Sequence, residues 1–185
     1  MKYMFRVIAY IALVGSAFLL VSTSPLSATT NVLELDIQGF RLGQTVEEIK
    51  TRYPSIKIDE IKPDKKSIMG YRAKISEVHM YFTNDALGKK LFRIQLLRIF
   101  PTKQDPDPIF KKFVEKYGRP DYSGRQMLHI QACWGKCIGD QPRLEFRIKI
   151  SNIGLQPYPM TLTLSNPKIE KENRRLYLEK PHPSN

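Results

Sequence analysis

The chain contains few of the residue types that carry enzyme chemistry. Two cysteines, one tryptophan and three histidines occur among its 185 residues. The sequence has no Gly-rich phosphate-binding loop, no His-Glu-x-x-His motif and no acidic calcium loop, and no serine occupies the centre of a Gly-x-Ser-x-Gly elbow. These absences argue against the common hydrolase, metalloprotease and nucleotide-dependent classes. We therefore predict no catalytic residue, no metal site and no cofactor.

A long hydrophobic run lies at the start of the chain. Lys2 and Arg6 precede an apolar segment at 7–21, and small polar residues then lead to Ala28. This order is typical of a secretory signal peptide, here 1–28. Fifteen residues span about 22 Å as a helix, which is less than the roughly 30 Å of bilayer hydrocarbon. We therefore expect cleavage near Ala28 and a periplasmic or secreted protein without stable membrane insertion. A retained signal anchor is the alternative.

Basic residues outnumber acidic ones, 30 against 18, and the formal net charge is +12. Lys2 and Arg6 are the only charged residues of the predicted signal peptide, so +10 remains after its removal. Such a surplus favours anionic partners. Because export and the lack of an aromatic-interleaved basic stripe argue against nucleic acid, we predict no nucleic-acid partner. An envelope or secreted protein, an anionic lipid or an acidic polysaccharide fits the charge.

The segment from about 32 to 100 has the pattern of a short helix followed by strands. VLELDI at 32–37 predicts a first short strand. Thr45 and Glu48 form a capping-box pattern, which predicts a helix at about 46–52. Period-two alternation then predicts strands at 56–61, 76–83 and 90–100, the last with a bulge at Leu96-Leu97.

The segment 101–167 repeats this pattern. Asp107 is a suitable helix cap, Pro108 suits the first helical position, and an apolar stripe at helical spacing follows up to Gly118, which ends the predicted helix. Alternation and short apolar runs then predict strands at 127–134, 143–150 and 159–164.

These patterns predict one α+β domain at 29–167, built of two tandem units at about 32–100 and 101–167. We expect an antiparallel sheet of about six to eight strands with two helices packed on one face. The charged tail at 168–185 is expected to form a short helix, an added strand around 176–178, or a partly disordered end.

The other face of the predicted sheet carries polar side chains, and no segment of the sequence is an obvious cover for it. We predict that this face and the adjoining loop form a contact surface, with simple solvation of the face as the alternative. The predicted contact residues are His79, Tyr81, Arg93, His129, Trp134, Lys136, Arg147 and Lys149.

The two cysteines lie four positions apart in CWGKC, residues 133–137. An extended strand would hold them about 13 Å apart, whereas a disulfide needs roughly 4.4–6.8 Å between Cα atoms. Gly135 permits a turn, and an exported chain meets an oxidising compartment. We therefore predict a structural disulfide between Cys133 and Cys137 that holds Trp134 at the rim of the loop. A copper site and a redox pair are the alternatives.

Two short motifs resemble a known type of exported bacterial protein. They are FRLGQTVEEIKTRYP at 40–54 and FKKFVEKYGRPD at 110–121, each in front of predicted strands. They are similar to the helix-plus-sheet units of the SmpA/OmlA outer-membrane assembly lipoproteins and of the β-lactamase-inhibitor-protein repeats. The lipidated N-terminal cysteine of those lipoproteins has no counterpart near Ala28. The matching residues are Phe40, Leu42, Gly43, Glu47, Glu48, Tyr117, Gly118 and Pro120.

The resemblance implies a role in protein interaction or assembly rather than in catalysis. We therefore expect an exported, non-catalytic protein-binding or envelope-assembly factor that presents an open sheet face. The alternatives are an envelope hydrolase that uses His79 or His129, and a copper or redox protein that uses the pair Cys133 and Cys137.

Overall fold

The structure is a computed structural model that describes residues 31–61, 70–126, 128–150 and 158–179. The predicted signal peptide and its cleavage point near Ala28 lie outside these residues. In the part of the chain that is described, no helix combines the length and the apolar character needed to cross a bilayer.

Three α-helices, two short 3₁₀ helices and eight strands occur in the described residues. The helices are α1 (Val46–Arg52), α2 (Pro106–Tyr117) and α3 (Pro167–Leu178), and the 3₁₀ helices are Val32–Glu34 and Asp85–Leu87. The strands are β1 (Ile58–Ile61), β2 (Gly70–Ile75), β3 (Val78–Phe82), β4 (Leu91–Phe100), β5 (Tyr122–Arg125), β6 (His129–Gly135), β7 (Arg143–Lys149) and β8 (Tyr158–Ser165).

The strands described form one antiparallel sheet in the order β1-β2-β3-β4-β8-β7-β6-β5. β4 and β8 pair at its centre over eight residue pairs, from Arg93 with Ser165 to Phe100 with Tyr158. The meander β1 to β4 therefore lies on one side of this central ladder and the meander β5 to β8 on the other. The predicted α+β class with an antiparallel sheet is confirmed.

Helix α1 begins at the predicted capping box. The amide of Glu48 donates to Thr45 Oγ1 at 3.2 Å, and the amide of Thr45 donates to Glu48 Oε2 at 2.6 Å. These reciprocal bonds satisfy amides that the first helical turn leaves without backbone partners. The apolar side of this short helix buries Val46 and Ile49 in the main core.

Helix α2 begins two residues earlier than predicted. Asp105 caps it by accepting from the amide of Asp107 at 3.1 Å, and Pro106 takes the first helical position. The prediction of Asp107 and Pro108 was wrong because the sequence repeats an Asp-Pro pair and either copy fits the cap. The predicted end at Gly118 is confirmed, since its amide donates to Val114 O at 2.9 Å.

Aromatic contacts pack α2 against the second half of the sheet. Phe110 and Phe113 lie over Phe146 of β7, with ring centroids 5.6 and 5.0 Å away. Tyr117 meets the ring of Trp134 on β6 edge-on at 6.0 Å. Because aromatic side chains bury large apolar areas, these contacts make α2 and the β6–β7 pair one packed unit.

Two local predictions in the first half were wrong. VLELDI contains the 3₁₀ helix Val32–Glu34 instead of a strand, because the side chain of Asn31 accepts from the amide of Leu33 at 3.3 Å and caps this turn. The bulge lies at Phe92 and not at Leu96-Leu97, because Phe82 pairs with Leu91 while Tyr81 pairs with Arg93.

Helix α3 is formed by the charged tail, and it lies against β4 on the side of Arg93. Glu170 of α3 accepts from Arg93 Nη2 at 2.7 Å. The side chain of Asn173, only 1% exposed, accepts from the amide of Asn84 at 2.8 Å. The helical alternative for the tail is thus confirmed over Pro167–Leu178. This helix covers the part of the sheet face beside Arg93 of β4, although the face was expected to be uncovered.

Candidate functional site

One face of the sheet points away from Phe146 and Trp134, and we call it the open face. Strand pairing sets its side chains in rows, one of which runs across His79, Gln95, Thr163, Glu145 and Cys133. Side chains alternate between the two faces of a strand. Residues two positions before or after those five therefore also point to the open face. The polar members of the open face include Asp59, Arg72, Lys74, His79, Tyr81, Arg93, Gln95, His129, Gln131, Arg143, Glu145, Arg147, Lys149, Thr161, Thr163 and Ser165.

The half of the open face formed by β5 to β8 carries a groove of about 540 Å³, which we call the β5–β8 groove. Strand residues form its floor, and the loop that follows β6 forms one edge. The residues that line it include Tyr122, Gln131, Cys133, Cys137, Ile138, Glu145, Arg147, Thr161 and Thr163.

The cysteine pair fixes the loop at the edge of this groove. The structure pairs Cys133 with Cys137, with Cα atoms 5.9 Å apart, which is within the range that a disulfide requires. The amide of Gly135 donates to Asp121 Oδ2 at 2.6 Å, and Lys171 of α3 forms an ion pair with Asp140 at 3.2 Å. The loop is therefore held at both of its ends. Among the described residues, no group of three or more His, Cys, Asp or Glu side chains is placed to hold a metal ion.

Opening the disulfide should have a measurable but modest effect. Reduction of the natively expressed protein is expected to raise its intact mass by about 2 Da, because each sulfur gains a hydrogen atom. The ring spans a sequence separation of four residues. In the chain-entropy model such a ring contributes about 2 kcal/mol, so Cys133→Ser with Cys137→Ser should lower the free energy of unfolding by no more than that. An unchanged mass on reduction would contradict the pairing.

Ile138 directly follows the disulfide and is the most exposed large apolar residue described, at 92%. Tyr122, which lines the same groove from edge strand β5 and pairs with Cys133, is 49% exposed. Single exposed apolar residues are common on protein surfaces. Here, however, the apolar side chain belongs to a loop that is fixed by a disulfide, by Asp121 and by α3, so little flexibility would be lost if a partner contacted it.

The floor of the groove carries an unneutralised positive charge. Arg147 is exposed, and it forms no ion pair with any residue that the structure describes. Glu145, the neighbouring carboxylate, is already bonded to Arg143 Nε at 3.0 Å. Partial burial lowers the pKa of His129, and the nearby charges of Arg147 and Lys149 lower it further. The surroundings of His129 therefore favour a negative group.

The histidines of the open face should make the fold less stable in mild acid. The pKa of His79 is lowered by partial burial and by Lys74 and Arg72, and that of His129 is lowered as described above. Each contribution to stability is present above the ordinary histidine pKa of about 6.5 and is lost as the pH falls through the lower folded pKa.

Urea unfolding at several pH values checks this expectation. The doubly substituted His79→Gln, His129→Gln protein should lose less stability than the unsubstituted chain between about pH 7 and about pH 5. Carboxylates with lowered pKa values, such as Glu77 beside Arg98, titrate in more acidic solution and are common to both proteins. The same pH dependence in both proteins would contradict the assignment.

The predicted contact residues are separated by the structure into two groups. His129, Arg147 and Lys149 lie beside or in the β5–β8 groove, and Lys136 is exposed in the disulfide loop. His79 and Tyr81 lie on β3, in the other half of the open face. Arg93 lies between the two halves, where it forms an ion pair with Glu170 of α3.

Trp134 is not at the rim of the loop, so this prediction was wrong. Its side chain is fully buried, and its indole Nε1 donates to Gly118 O at 2.7 Å. The physical reason is strand parity: β6 stays regular up to Gly135, so Trp134 lies on the same side as Ile130 and Ala132 in the core. The turn that exposes the loop begins only after it.

Ile138 and Tyr122 were not among the predicted contact residues. Tyr122 belongs to β5, a four-residue edge strand with the sequence YSGR that has no apolar alternation. Ile138 stands alone between Cys137 and Gly139, so no periodic pattern includes it. An isolated isoleucine beside a disulfide in a polar loop was the one available signal.

Comparison with known proteins gives no relationship on which to base a function. No protein-family model, no curated protein and no solved structure matches the chain. The geometry and charge of the open face are therefore the basis for the proposals below.

Proposed function

We propose that this chain is an exported, non-catalytic factor that binds a segment of an envelope or secreted protein in the β5–β8 groove. The observation that carries the proposal is the 92% exposure of Ile138 on a loop fixed by the Cys133–Cys137 pair. Fixed apolar groups beside a groove are suited to binding, because contacts there cost little conformational entropy. The groove and its apolar edge favour a protein segment over a small metabolite.

The partner segment that fits this groove best combines an apolar and an acidic side chain. The apolar one would pack between Ile138 and Tyr122, and the acidic one would pair with Arg147 on the floor. Since Arg147 has no ion-pair partner in the described part of the chain, a partner carboxylate would not have to displace one. The net positive charge, +12 for the full chain and +10 without Lys2 and Arg6, attracts such partners at longer range.

The breadth of the open face is explained if the fold consists of two related units. We propose that α1 with β1 to β4 and α2 with β5 to β8, at about 32–100 and 101–167, are tandem copies with their helices on one face. The strand order supports this, because each meander ends in a strand of the central β4–β8 pair. Two copies joined edge to edge provide a continuous sheet whose other face is available for binding, apart from the part beside Arg93 that α3 covers.

Binding measurements on substituted proteins test the proposed function. A partner captured by crosslinking in the native envelope would be identified and its affinity for the purified chain measured. Ile138→Asp and Arg147→Glu are each expected to weaken that affinity by about 30-fold, which corresponds to about 2 kcal/mol and is typical of an interface hot spot. The matched control is Lys112→Glu, which reverses a charge on α2, away from the groove.

Two results would contradict binding in the β5–β8 groove. If Lys112→Glu weakened binding as much as Arg147→Glu, overall charge and not the groove would explain the association. If Ile138→Asp left the affinity unchanged, the exposed loop would not be part of the interface. Circular dichroism of each protein would confirm that the substitution left the fold intact.

A further inference from the structure

The β1–β3 end of the open face contains a second cleft, of about 310 Å³. It is lined by Asp59, Arg72, Ala73, Lys74, His79 and Tyr81. None of these residues lines the β5–β8 groove. The cleft is therefore a separate feature with its own set of polar groups.

Strand pairing brings three nitrogen-bearing side chains together in this cleft. Lys74 of β2 lies directly opposite His79 of β3, and Arg72 lies opposite Tyr81. Side chains directly opposite in an antiparallel pair have Cβ atoms about 4.5–5.5 Å apart, and diagonal neighbours are about 7–8 Å apart. Arg72, Lys74, His79 and the Tyr81 hydroxyl can thus all reach one small group placed between them.

Among the described residues, no ion pair balances the positive charges of the cleft. Neither Arg72 nor Lys74 forms an ion pair within the ranges that the structure describes. Asp59 is the one carboxylate among the described lining residues, and it lies opposite Arg72 in the β1–β2 pairing. Two cations face one anion among the described lining residues, and the pKa of His79 is lowered by partial burial and then by the charges of Lys74 and Arg72.

We propose that this cleft binds a phosphate group, held by Arg72 and Lys74 with His79 as a further donor. Arginine provides planar paired donors for phosphate oxygens, and lysine provides a compact charge. A phosphate monoester carries close to two negative charges at neutral pH, which matches the two cations. This site uses residues outside the β5–β8 groove and goes beyond the proposed partner binding.

Titration of the purified chain with inorganic phosphate, followed by NMR or calorimetry at low salt, tests the site. Arg72→Gln and Lys74→Gln are each expected to weaken phosphate binding about tenfold, the size of effect that loss of one charged hydrogen bond produces. Asp59→Asn should strengthen binding, because it removes the carboxylate that repels the ligand. Lys112→Gln on α2 is the matched control and should leave the affinity unchanged.

The role of His79 is tested with sulfate, whose charge stays constant in mild acid. As His79 gains its proton, sulfate affinity should rise from about pH 7.5 to about pH 5.5, and His79→Gln should remove most of that rise. The charged and titratable groups that face His79 are Lys74 and Arg72 on β2, Asp59 on β1 and Tyr81 on β3. On β4 the residue opposite His79 is the neutral Gln95, and its diagonal neighbour Arg93 is ion-paired with Glu170 of α3. His129→Gln serves as the control, since its histidine lies in the other half of the sheet.

Two arms of the experiment distinguish the source of the phosphate. Retention on phosphatidic acid vesicles but not on phosphatidylcholine vesicles, with competition by soluble phosphate, would assign the site to a lipid headgroup. Saturable phosphate binding without retention on vesicles would assign it to a soluble phosphorylated ligand. The proposal is overturned if phosphate shows no saturable binding, or if Lys112→Gln weakens binding as much as Lys74→Gln.

Discussion

Replacing Trp134 with alanine is expected to lower the free energy of unfolding by about 3–5 kcal/mol, the usual cost of removing a large buried aromatic side chain. Trp134 is fully buried, contacts the ring of Tyr117 and donates its indole N–H to Gly118 O. Its removal leaves a cavity between β6 and α2 and an unsatisfied carbonyl. Denaturant unfolding followed by circular dichroism measures the effect, because the chain has no other tryptophan to report fluorescence.

Trp134→Phe separates the packing of the indole from its hydrogen bond. Phenylalanine retains much of the apolar contact with Tyr117 but cannot donate to Gly118 O. We expect a loss of about 1–2 kcal/mol, which is the range for an unmet buried hydrogen bond. A cost of less than about 1 kcal/mol for Trp134→Ala would contradict the buried position and would restore the loop-rim position predicted from the sequence.

Gly135→Ala is expected to destabilise the fold by about 2–5 kcal/mol and to displace the disulfide loop. Gly135 has φ +87°, a backbone conformation in which an L-residue is strained by about 1–2 kcal/mol. A Cβ atom at this position would also lie 2.5 Å from Val32 Cγ2 and 3.0 Å from Pro142 O. Relieving that overlap adds about 1–3 kcal/mol.

Gly139→Ala is the matched control for this prediction. Gly139 lies in the same loop and has a similar φ of +90°, but a Cβ atom there would meet nothing within 4 Å. It should therefore show the backbone strain alone, and the difference between the two variants should measure the steric overlap at Gly135. Equal stability of the two alanine variants would show that Gly135 is not packed against Val32 as described.

Several elements were predictable because short-range chemistry determines them. The alternation in β3, β7 and β8 matches their buried and exposed residues, and the Thr45–Glu48 capping box requires only four neighbouring residues. The Cys133–Cys137 geometry was predictable for the same reason, since Gly135 permits the turn that brings two cysteines four positions apart within disulfide range.

Other features depend on long-range contacts that periodicity does not record. β5 is a four-residue strand that exists because its residues pair with β6, for example Tyr122 with Cys133. α3 lies on the open face because Glu170 and Asn173 find partners on and beside β4, far away in sequence. The same long-range contacts separate the predicted contact surface into two halves. Arg93 lies between the halves, and its ion pair with Glu170 holds α3 there.

Site-specific photocrosslinking from position 138 tests most directly whether the β5–β8 groove binds a partner. A photoreactive residue replacing Ile138 in the native host should give one discrete protein adduct, which Arg147→Glu in the same chain should reduce strongly. The same photoreactive residue replacing Lys112 on α2 should not give that adduct. No adduct from position 138, or the same adduct from both positions, would contradict binding in the groove.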